Sequence, residues 1–128
     1  MNLSDLNISR TTSTPEVRSN ALEGTLRMSG DSYPENSFEF FQPVFSWTQR
    51  RLAVPENGLR LELSLVYLNT SSIKAMLDIF DLLDDAHKRG QSVSVLWYFD
   101  PQNERVAELA DEFKEDCNFP FDILPRSE

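Results

Sequence analysis

The chain has 128 residues, of which 40% are hydrophobic and 11% aromatic, so it is long enough to fold as one domain with its own core. Its formal net charge of −9 argues against nucleic acid or a membrane surface as a partner, because both carry negative charge. Cys117 and His87 are the sole cysteine and histidine, which excludes an intrachain disulfide and a zinc site built from these residue types.

The N-terminal part contains neither the basic start nor the apolar run of a signal peptide, and no segment approaches the roughly 20 apolar residues that span a bilayer. We therefore expect a cytoplasmic protein with a single domain over residues 1–128 and a loose N-terminus over residues 1–11. Two short strands are predicted next, over residues 15–18 and 22–28. In the second of them, Leu22, Leu26 and Met28 are expected to face the core.

A helix is predicted over residues 37–52, with Asn36 or Ser37 as its cap. Pro43 either kinks this helix or marks its true first turn. A second helix is predicted over residues 71–88, with Gly90 just beyond its end.

Strands are predicted on either side of the second helix, over residues 59–68 and 93–99, because apolar and polar residues alternate there. A third helix over residues 103–117 and a short strand over residues 119–124 complete the order β-β-α-β-α-β-α-β. This order predicts an α/β fold with a mixed sheet of about five strands, and the alternation places the three helices mainly on one face.

The helix predicted over residues 71–88 has two distinctive faces. One face is acidic and is either a solvated surface or a partner-facing surface: Asp78, Asp81, Asp84 and Asp85. The apolar face is wider than packing on a sheet requires, and its second row either contacts neighbouring helices or forms an exposed docking patch: Ala75, Ile79, Leu82 and Ala86. From these two faces we select Asp78, Ile79, Leu82 and Asp85 as candidate partner-binding residues.

The polar sequence Asn69-Thr70-Ser71-Ser72 joins a strand to this helix. One of these residues is enough to cap the helix, so the other hydroxyl groups are surplus. A phosphate on Thr70 would lie at the positive end of the helix dipole, where Lys74 could reach it. The folded domain would tolerate this group, whereas a partner pressed against the corner would have to desolvate it. The residues alone leave two interpretations open, plain capping and a phosphate-controlled docking corner.

The sequence contains no glycine-rich phosphate loop, nucleophile elbow or metal-binding spacing, since its four glycines are scattered. We therefore expect a protein that is not an enzyme and that holds neither a cofactor nor a metal. The acidic stripe is the one feature on which a small magnesium-dependent enzyme could be argued.

Three segments closely resemble the SiaC family of bacterial regulatory phosphoproteins: GDSYPENSFEFFQPVF (residues 30–45), YLNTSSIKAMLDIFDLLDDAHKRG (67–90) and WYFDPQNERVAELADEFKEDCNFPFDI (97–123). That family is similar in organisation to anti-sigma-factor antagonists of the STAS type, in which a kinase phosphorylates the first hydroxyl of an acid-Ser-Ser-Gly corner. Thr70 matches that position, but Asn69 replaces the acid, and the sequence Ser72-Ile73 that follows lacks the glycine. The resemblance implies a STAS-like fold and does not carry over control of a sigma factor.

The SiaC resemblance implies a non-catalytic phospho-switch adaptor. A serine/threonine kinase with a histidine-kinase-like ATPase fold would phosphorylate Thr70, and a PP2C-type phosphatase would remove the phosphate. Ser71 and Ser72 are neighbours to be tested rather than equivalents, and Asn69 and Lys74 would support the phosphate. The unmodified form would bind and stimulate a diguanylate cyclase, raising cyclic di-GMP and favouring biofilm formation or aggregation.

Two other functions compete with this expectation. One is a partner switch of the anti-sigma-factor-antagonist type. The other is a constitutive scaffold whose wide-faced helix docks a protein without phosphate control. The mass of the intact protein from its native host separates the scaffold from both switches, because a scaffold carries no phosphoryl group.

Overall fold

The computed structural model describes residues 4–126, which form one sheet and three helices. The strands are β1 (Asn7–Ile8), β2 (Glu16–Asn20), β3 (Thr25–Ser32), β4 (Leu59–Leu68), β5 (Val93–Phe99) and β6 (Phe121–Pro125). The helices are α1 (Ser37–Leu52), α2 (Thr70–Lys88) and α3 (Glu104–Glu115). The predicted α/β class is confirmed, with six strands in the sheet where about five were expected.

The strands lie in the sheet in the order in which they occur in the chain, from β1 to β6. The pairs β1–β2 and β2–β3 are antiparallel, and β3 to β6 are parallel, with one helix joining each parallel strand to the next. In β4 and β5 alternate residues are buried, from Leu59 to Leu65 and from Val93 to Trp97, while most residues between them are partly exposed. The helices therefore cover one face of the sheet, as predicted, and we call the other one the uncovered face.

Aromatic side chains fill the core between the sheet and its helices. The Phe80 ring of α2 packs edge-on against Phe113 of α3, with ring centroids 5.1 Å apart, and against Phe121 of β6 at 5.5 Å. Trp97 of β5 stacks on Phe113 at 5.7 Å. These contacts hold α2 and α3 on the same face of the sheet.

Each helix begins with an asparagine cap. The side chains of Asn36, Asn69 and Asn103 accept hydrogen bonds from backbone N–H groups in the first turns of α1, α2 and α3. α2 ends just before Gly90, whose φ of +92° suits the predicted position beyond the helix end. Pro43 is the seventh residue of α1, so it does not mark the first turn.

The wide apolar face of α2 is mostly core. α1 packs along α2, and Ala75, Ile79 and Ala86 of the second apolar row are buried, while Leu82 is half-buried. This row therefore does not form an exposed docking patch. The selection of Ile79 as a partner-binding residue is wrong, because its side chain is 0% exposed.

The first strands differ from the prediction. β3 begins at Thr25, after a turn that contains Gly24 at a φ of +72°. Leu22 lies in that turn and is fully exposed, so the expectation that it faces the core is wrong, whereas Leu26 and Met28 are buried as expected. β3 also continues through polar residues to Ser32, because these residues pair with β4.

A short strand, β1, lies within the segment that was predicted to be loose. The Asp5 carboxylate accepts hydrogen bonds from the Ser19 hydroxyl and the Ala21 N–H, both at 3.0 Å. The Leu6 N–H donates to the Ser19 hydroxyl at 2.6 Å. Residues 5–8 are therefore attached to β2 and the turn after it, and residues 1–3 of the predicted loose segment lie outside the described residues.

The carboxyl ends of the parallel strands β3, β4 and β5 lie at one edge of the sheet, the upper edge, and α1, α2 and α3 begin there. A bulge precedes this edge in β4: Gly30 pairs with Leu65 and Asp31 with Tyr67, so Val66 is an extra residue. The opposite edge, where the parallel strands begin, is the lower edge.

Candidate functional site

The sequence Asn69-Thr70-Ser71-Ser72, which we call the Thr70 corner, joins β4 to α2 at the upper edge. The Asn69 N–H donates to the Ser32 carbonyl at 3.0 Å, which fixes the end of β4 against β3. The Asn69 Oδ1 accepts from the Ser72 N–H at 2.9 Å and from the Ser71 hydroxyl at 3.2 Å. Asn69 is therefore the cap of α2, and the three hydroxyl groups that follow are not needed for that role.

Two of these hydroxyl groups have structural partners. The Ser72 and Ser32 hydroxyls are 2.8 Å apart, and both side chains are fully buried. The Ser71 and Ser37 hydroxyls are 2.6 Å apart, which ties the start of α2 to the start of α1. Phosphorylation of Ser72 would require the corner to open, and phosphorylation of Ser71 would break the link between the two helices.

Thr70 differs from both serines. It is exposed, and its hydroxyl forms no hydrogen bond with the residues from 4 to 126. As the first residue of α2, it lies at the positive end of the helix dipole. The Ser37–Ser71 contact brings the beginning of α1 beside it, so two helix N-termini meet here. A negative group on an exposed helix N-terminus is favoured by about 0.3–1 kcal/mol.

Lys74 does not point to Thr70. Its Nζ lies 3.2 Å from the Asp78 carboxylate, one turn further along α2. The predicted support of a phosphate by Lys74 is thus not in place in the unmodified protein, because the neighbouring carboxylate holds the ammonium group. Asn69 is in contact with the corner, as its capping hydrogen bonds show.

The remaining predicted partner-binding residues lie along the exposed side of α2. Asp78 and Leu82 line a shallow groove of about 260 Å³ between α1 and α2, together with Phe45 and Gln49. Asp85 is exposed one turn beyond Leu82. The structure therefore brings Asp78 and Leu82 together, but it separates them from Thr70 by more than two helical turns.

Two of the four aspartates of the acidic stripe, Asp78 and Asp84, are engaged in side-chain contacts. Asp84 lies 3.6 Å from Lys88 and accepts from the Asn118 amide at 3.3 Å. Within residues 4–126, no three His, Cys, Asp or Glu side chains are grouped closely enough to hold a metal ion.

Cys117 lies beside this stripe at the end of α3. Burial, together with the negative charges of Asp84, Asp116 and Asp81, raises the pKa of its thiol to about 11. The thiol also donates to the Phe113 carbonyl at 3.2 Å. Because a thiol is a weak nucleophile while it is protonated, Cys117 is unreactive near neutral pH.

Three exposed aromatic residues near the corner were not selected from the sequence. Phe38 lies in the first turn of α1, next to Ser37, and is 76% exposed. Tyr33 and Tyr67 lie at the ends of β3 and β4, with ring centroids 5.8 Å apart. The spacing of Phe38 with Phe41 and Phe45 is that of a buried helix face, so the sequence contains no signal that Phe38 is exposed.

The comparison with protein families tests the resemblance that the sequence suggests. The model of the SiaC family of regulatory phosphoproteins matches residues 8–126. The chain belongs to the SiaC family. The resemblance predicted from the sequence is thus confirmed.

Solved structures of family members have the same fold. Apo-SiaC from Pseudomonas aeruginosa is 55% identical, with a TM-score of 0.91, over 94% of this chain and 98% of that one. SiaC of P. aeruginosa has also been solved in complex with the diguanylate cyclase SiaD, of which it is the activator; that match is 56% identical, with a TM-score of 0.92, over 95% of this chain and 100% of that one. An uncharacterised protein of P. aeruginosa strain UCBPP-PA14 is 56% identical over 126 residues, 98% of this chain and 100% of the relative.

None of the helices within residues 4–126 is both long and apolar enough to cross a membrane.

Proposed function

We propose that this chain is a non-catalytic phospho-switch adaptor whose unmodified form binds and stimulates a diguanylate cyclase. The membership of the SiaC family and the complex formed by a relative with its cyclase support the choice of partner. The observation that carries the switch is the state of the three hydroxyl groups: Ser71 and Ser72 are engaged in side-chain hydrogen bonds, and Thr70 is exposed. The expected output is a rise in cyclic di-GMP that favours biofilm formation or aggregation.

The proposed regulators are a serine/threonine kinase with a histidine-kinase-like ATPase fold and a PP2C-type phosphatase. Both would act on Thr70, whose exposed hydroxyl a kinase can reach without opening the corner. We also propose a cytoplasmic location for this chain.

The phosphate would act on binding rather than on folding. At an exposed helix N-terminus, a dianion is compatible with the folded state. A cyclase seated on the corner would have to desolvate nearly two negative charges, and the Lys74 ammonium group is held by Asp78 rather than placed beside them. A hundredfold loss of affinity requires about 2.8 kcal/mol, which one mispaired buried charge supplies.

We further propose that the cyclase contacts the exposed side of α2 below the corner. Asp78 and Leu82 line the groove between α1 and α2, and Asp85 extends the same surface by one turn. Ile79 is not part of this surface, because it is buried.

The test is calorimetric titration of the cyclase from the same organism with unmodified protein and with protein phosphorylated by the cognate kinase. We expect the phosphorylated protein to bind about a hundredfold more weakly and to stimulate the cyclase correspondingly less. Equal affinities for the two forms would favour the constitutive scaffold and overturn the switch.

Two variants assign the modification site. Thr70→Ala should accept no phosphate from the kinase, whereas the matched control Ser71→Ala should still be phosphorylated. Full phosphorylation of Thr70→Ala would show that the kinase modifies a different hydroxyl group.

A further inference from the structure

Lys74 lies on α2 midway between Thr70 and Asp78. The three residues are spaced four apart, so Thr70 and Asp78 each lie about one turn, or roughly 6 Å along the axis, from Lys74 on the same side of the helix. In the unmodified protein, the Lys74 Nζ is 3.2 Å from the Asp78 carboxylate. The Lys74 side chain is 74% exposed, so its ammonium group can rotate toward Thr70 through solvent.

The first turns of α1 and α2 contain no other basic side chain. Lys74 is the one basic residue of the first four turns of α2, and α1 has none before Arg50. The contact of the Ser37 and Ser71 hydroxyls, 2.6 Å apart, holds the starts of the two helices side by side. A phosphate on this corner therefore has Lys74 as the single candidate cation from both helices.

Other basic residues near the upper edge are less well placed: Arg10, Arg105 and Arg126. The Arg10 guanidinium is 3.9 Å from the Asp31 carboxylate of β3. Arg105 belongs to α3, which packs less closely on α2 than α1 does. Arg126 follows β6, which lies two strands away from β4, the strand that leads to Thr70. We therefore expect Lys74 to be the residue that pairs with a phosphate on Thr70.

A phosphate on Thr70 would compete with Asp78 for the Lys74 ammonium group, and it has two advantages. It carries nearly two negative charges, whereas the carboxylate carries one. An acidic group four residues before a lysine also pairs better in a helix than one four residues after it, in accord with the helix dipole. The present pair has the less favourable order, and an exposed pair of this kind stabilises a protein little. The ammonium group should therefore leave Asp78 for the phosphate.

Asp78 lies at the place where a loss of its partner matters for docking. It lines the groove of about 260 Å³ between α1 and α2, about 12 Å along the helix from Thr70. Among residues 4–126, Asp78 has Lys74 as its one ion-pair partner. The other residues that line the groove are uncharged: Gln42, Phe45, Gln49 and Leu82.

We propose that phosphorylation of Thr70 transfers Lys74 from Asp78 to the phosphate, and that the unpaired Asp78 carboxylate then opposes docking of the cyclase in the groove. This inference rests on the proposed function, since it takes Thr70 as the modification site and the groove as part of the cyclase-binding surface. A docked cyclase covers Asp78 together with its lysine in the unmodified protein, and Asp78 alone in the phosphorylated one. Burial of an unpaired carboxylate is the more costly of the two. Lys74 cancels one charge of the phosphate, so the corner keeps a net negative charge as well.

The first experiment follows the phosphate itself and needs no cyclase. Phosphothreonine is incorporated at position 70 of the full-length chain during translation, so every variant carries it whatever the kinase recognises. Phosphorus NMR then measures the second ionisation of the phosphate. Lys74→Gln should raise the pKa of this phosphate by a few tenths of a pH unit, because the dianion loses its cation. The matched control is Lys88→Gln, which removes the same charge from the last turn of α2, where Lys88 is 3.6 Å from Asp84, and it should leave the phosphate pKa unchanged.

The second experiment measures how strongly the phosphate weakens cyclase binding, as the ratio of the Kd values of the phosphorylated and unmodified forms. The wild-type ratio is expected to be about a hundredfold. Asp78→Asn should lower this ratio at least threefold, because an unpaired amide costs less to bury than an unpaired carboxylate. A contact that Asp78 makes equally in both forms cancels in the ratio. The matched control is Asp81→Asn, an exposed aspartate of α2 that does not line the groove, and its ratio should equal that of the wild type.

The outcomes separate this inference from the proposed function. If the phosphate does not weaken cyclase binding by the wild type, the proposed function fails. If it does, but Lys74→Gln leaves the phosphate pKa unchanged or Asp78→Asn leaves the ratio unchanged, this inference alone fails. A rise of the phosphate pKa in Arg10→Gln instead of Lys74→Gln would also overturn it, because the cation would then come from outside α2. Thermal unfolding verifies that each variant is folded.

Discussion

Polar side chains have different hydrogen-bond partners at the two edges of the sheet. At the lower edge, the Gln91 amide donates to the carbonyls of Leu52, Val54 and Asn57 at 3.0–3.2 Å. Arg51 donates there to the carbonyls of Ala21 and Gly58. At the upper edge, by contrast, serine hydroxyls pair with each other and Thr70 remains outside their network.

The difference is the reason that we place the proposed modification site at the upper edge. Side chains at the lower edge satisfy backbone carbonyls of the loop between α1 and β4, so a change there exposes unpaired backbone groups. The upper-edge serines satisfy each other, and the Asn69 cap completes the start of α2. The Thr70 hydroxyl is therefore not part of the hydrogen bonds that hold the corner. We expect that it can be modified while the fold stays the same.

Of the residues at the two edges, Gln91 should have the largest effect on the free energy of unfolding. Gln91→Ala should lower the free energy of unfolding by about 2–3 kcal/mol, because three backbone carbonyls lose a buried donor. Urea denaturation measures the loss, and Gln42→Ala, an exposed glutamine of α1, is the control. A loss as small as that of the control would mean that the lower edge is not fixed by Gln91.

The buried Ser32–Ser72 pair should have an intermediate effect. Ser72→Ala should cost about 1–2 kcal/mol, because it leaves the Ser32 hydroxyl buried without its partner. The double variant Ser32→Ala/Ser72→Ala should cost less than the sum of the two single variants, since neither hydroxyl is then left unpaired. Strict additivity in the denaturation experiment would show that the two hydroxyl groups do not stabilise each other.

Thr70 should have the smallest effect on stability. Thr70→Ala should change the free energy of unfolding by no more than about 0.5 kcal/mol, as is usual for an exposed position. Thermal unfolding of the variant and of the phosphorylated wild type tests this expectation. A large destabilisation in either protein would mean that the corner is structural and would remove the contrast between the two edges.

Periodic segments of the fold could be predicted from the sequence, because a long regular pattern specifies both an element and its buried face. The bounds of α1, β4 and β5 agree with the prediction, and α2 begins one residue earlier than expected. β1 was missed because two residues carry no periodicity, and its position depends on contacts of Asp5 with residues 14 and 16 positions later.

The composition of the Thr70 corner could be predicted, but the role of each hydroxyl group could not. The partners of Ser71 and Ser72 are Ser37 and Ser32, which are 34 and 40 residues away in the chain. Lys74 contacts Asp78 rather than the corner, and Ile79 is buried. Both facts depend on which groups lie nearby in the folded chain, so the sequence did not predict them. The exposed pair of Tyr33 and Tyr67 was missed because the two rings come from different strands and meet only in the folded sheet.

The bulge at Val66 makes the outer surface of the sheet independent of the position of the Thr70 corner. Val66 lies between the register pairs Gly30–Leu65 and Asp31–Tyr67. Leu68 therefore still pairs with Ser32, and the start of α2 does not shift. A chain that lacked Val66 would keep regular alternation through Tyr67 and Leu68, with Thr70 where it is now. During evolution, the outer surface of such a domain can thus change by gain or loss of one residue while Thr70 keeps its position.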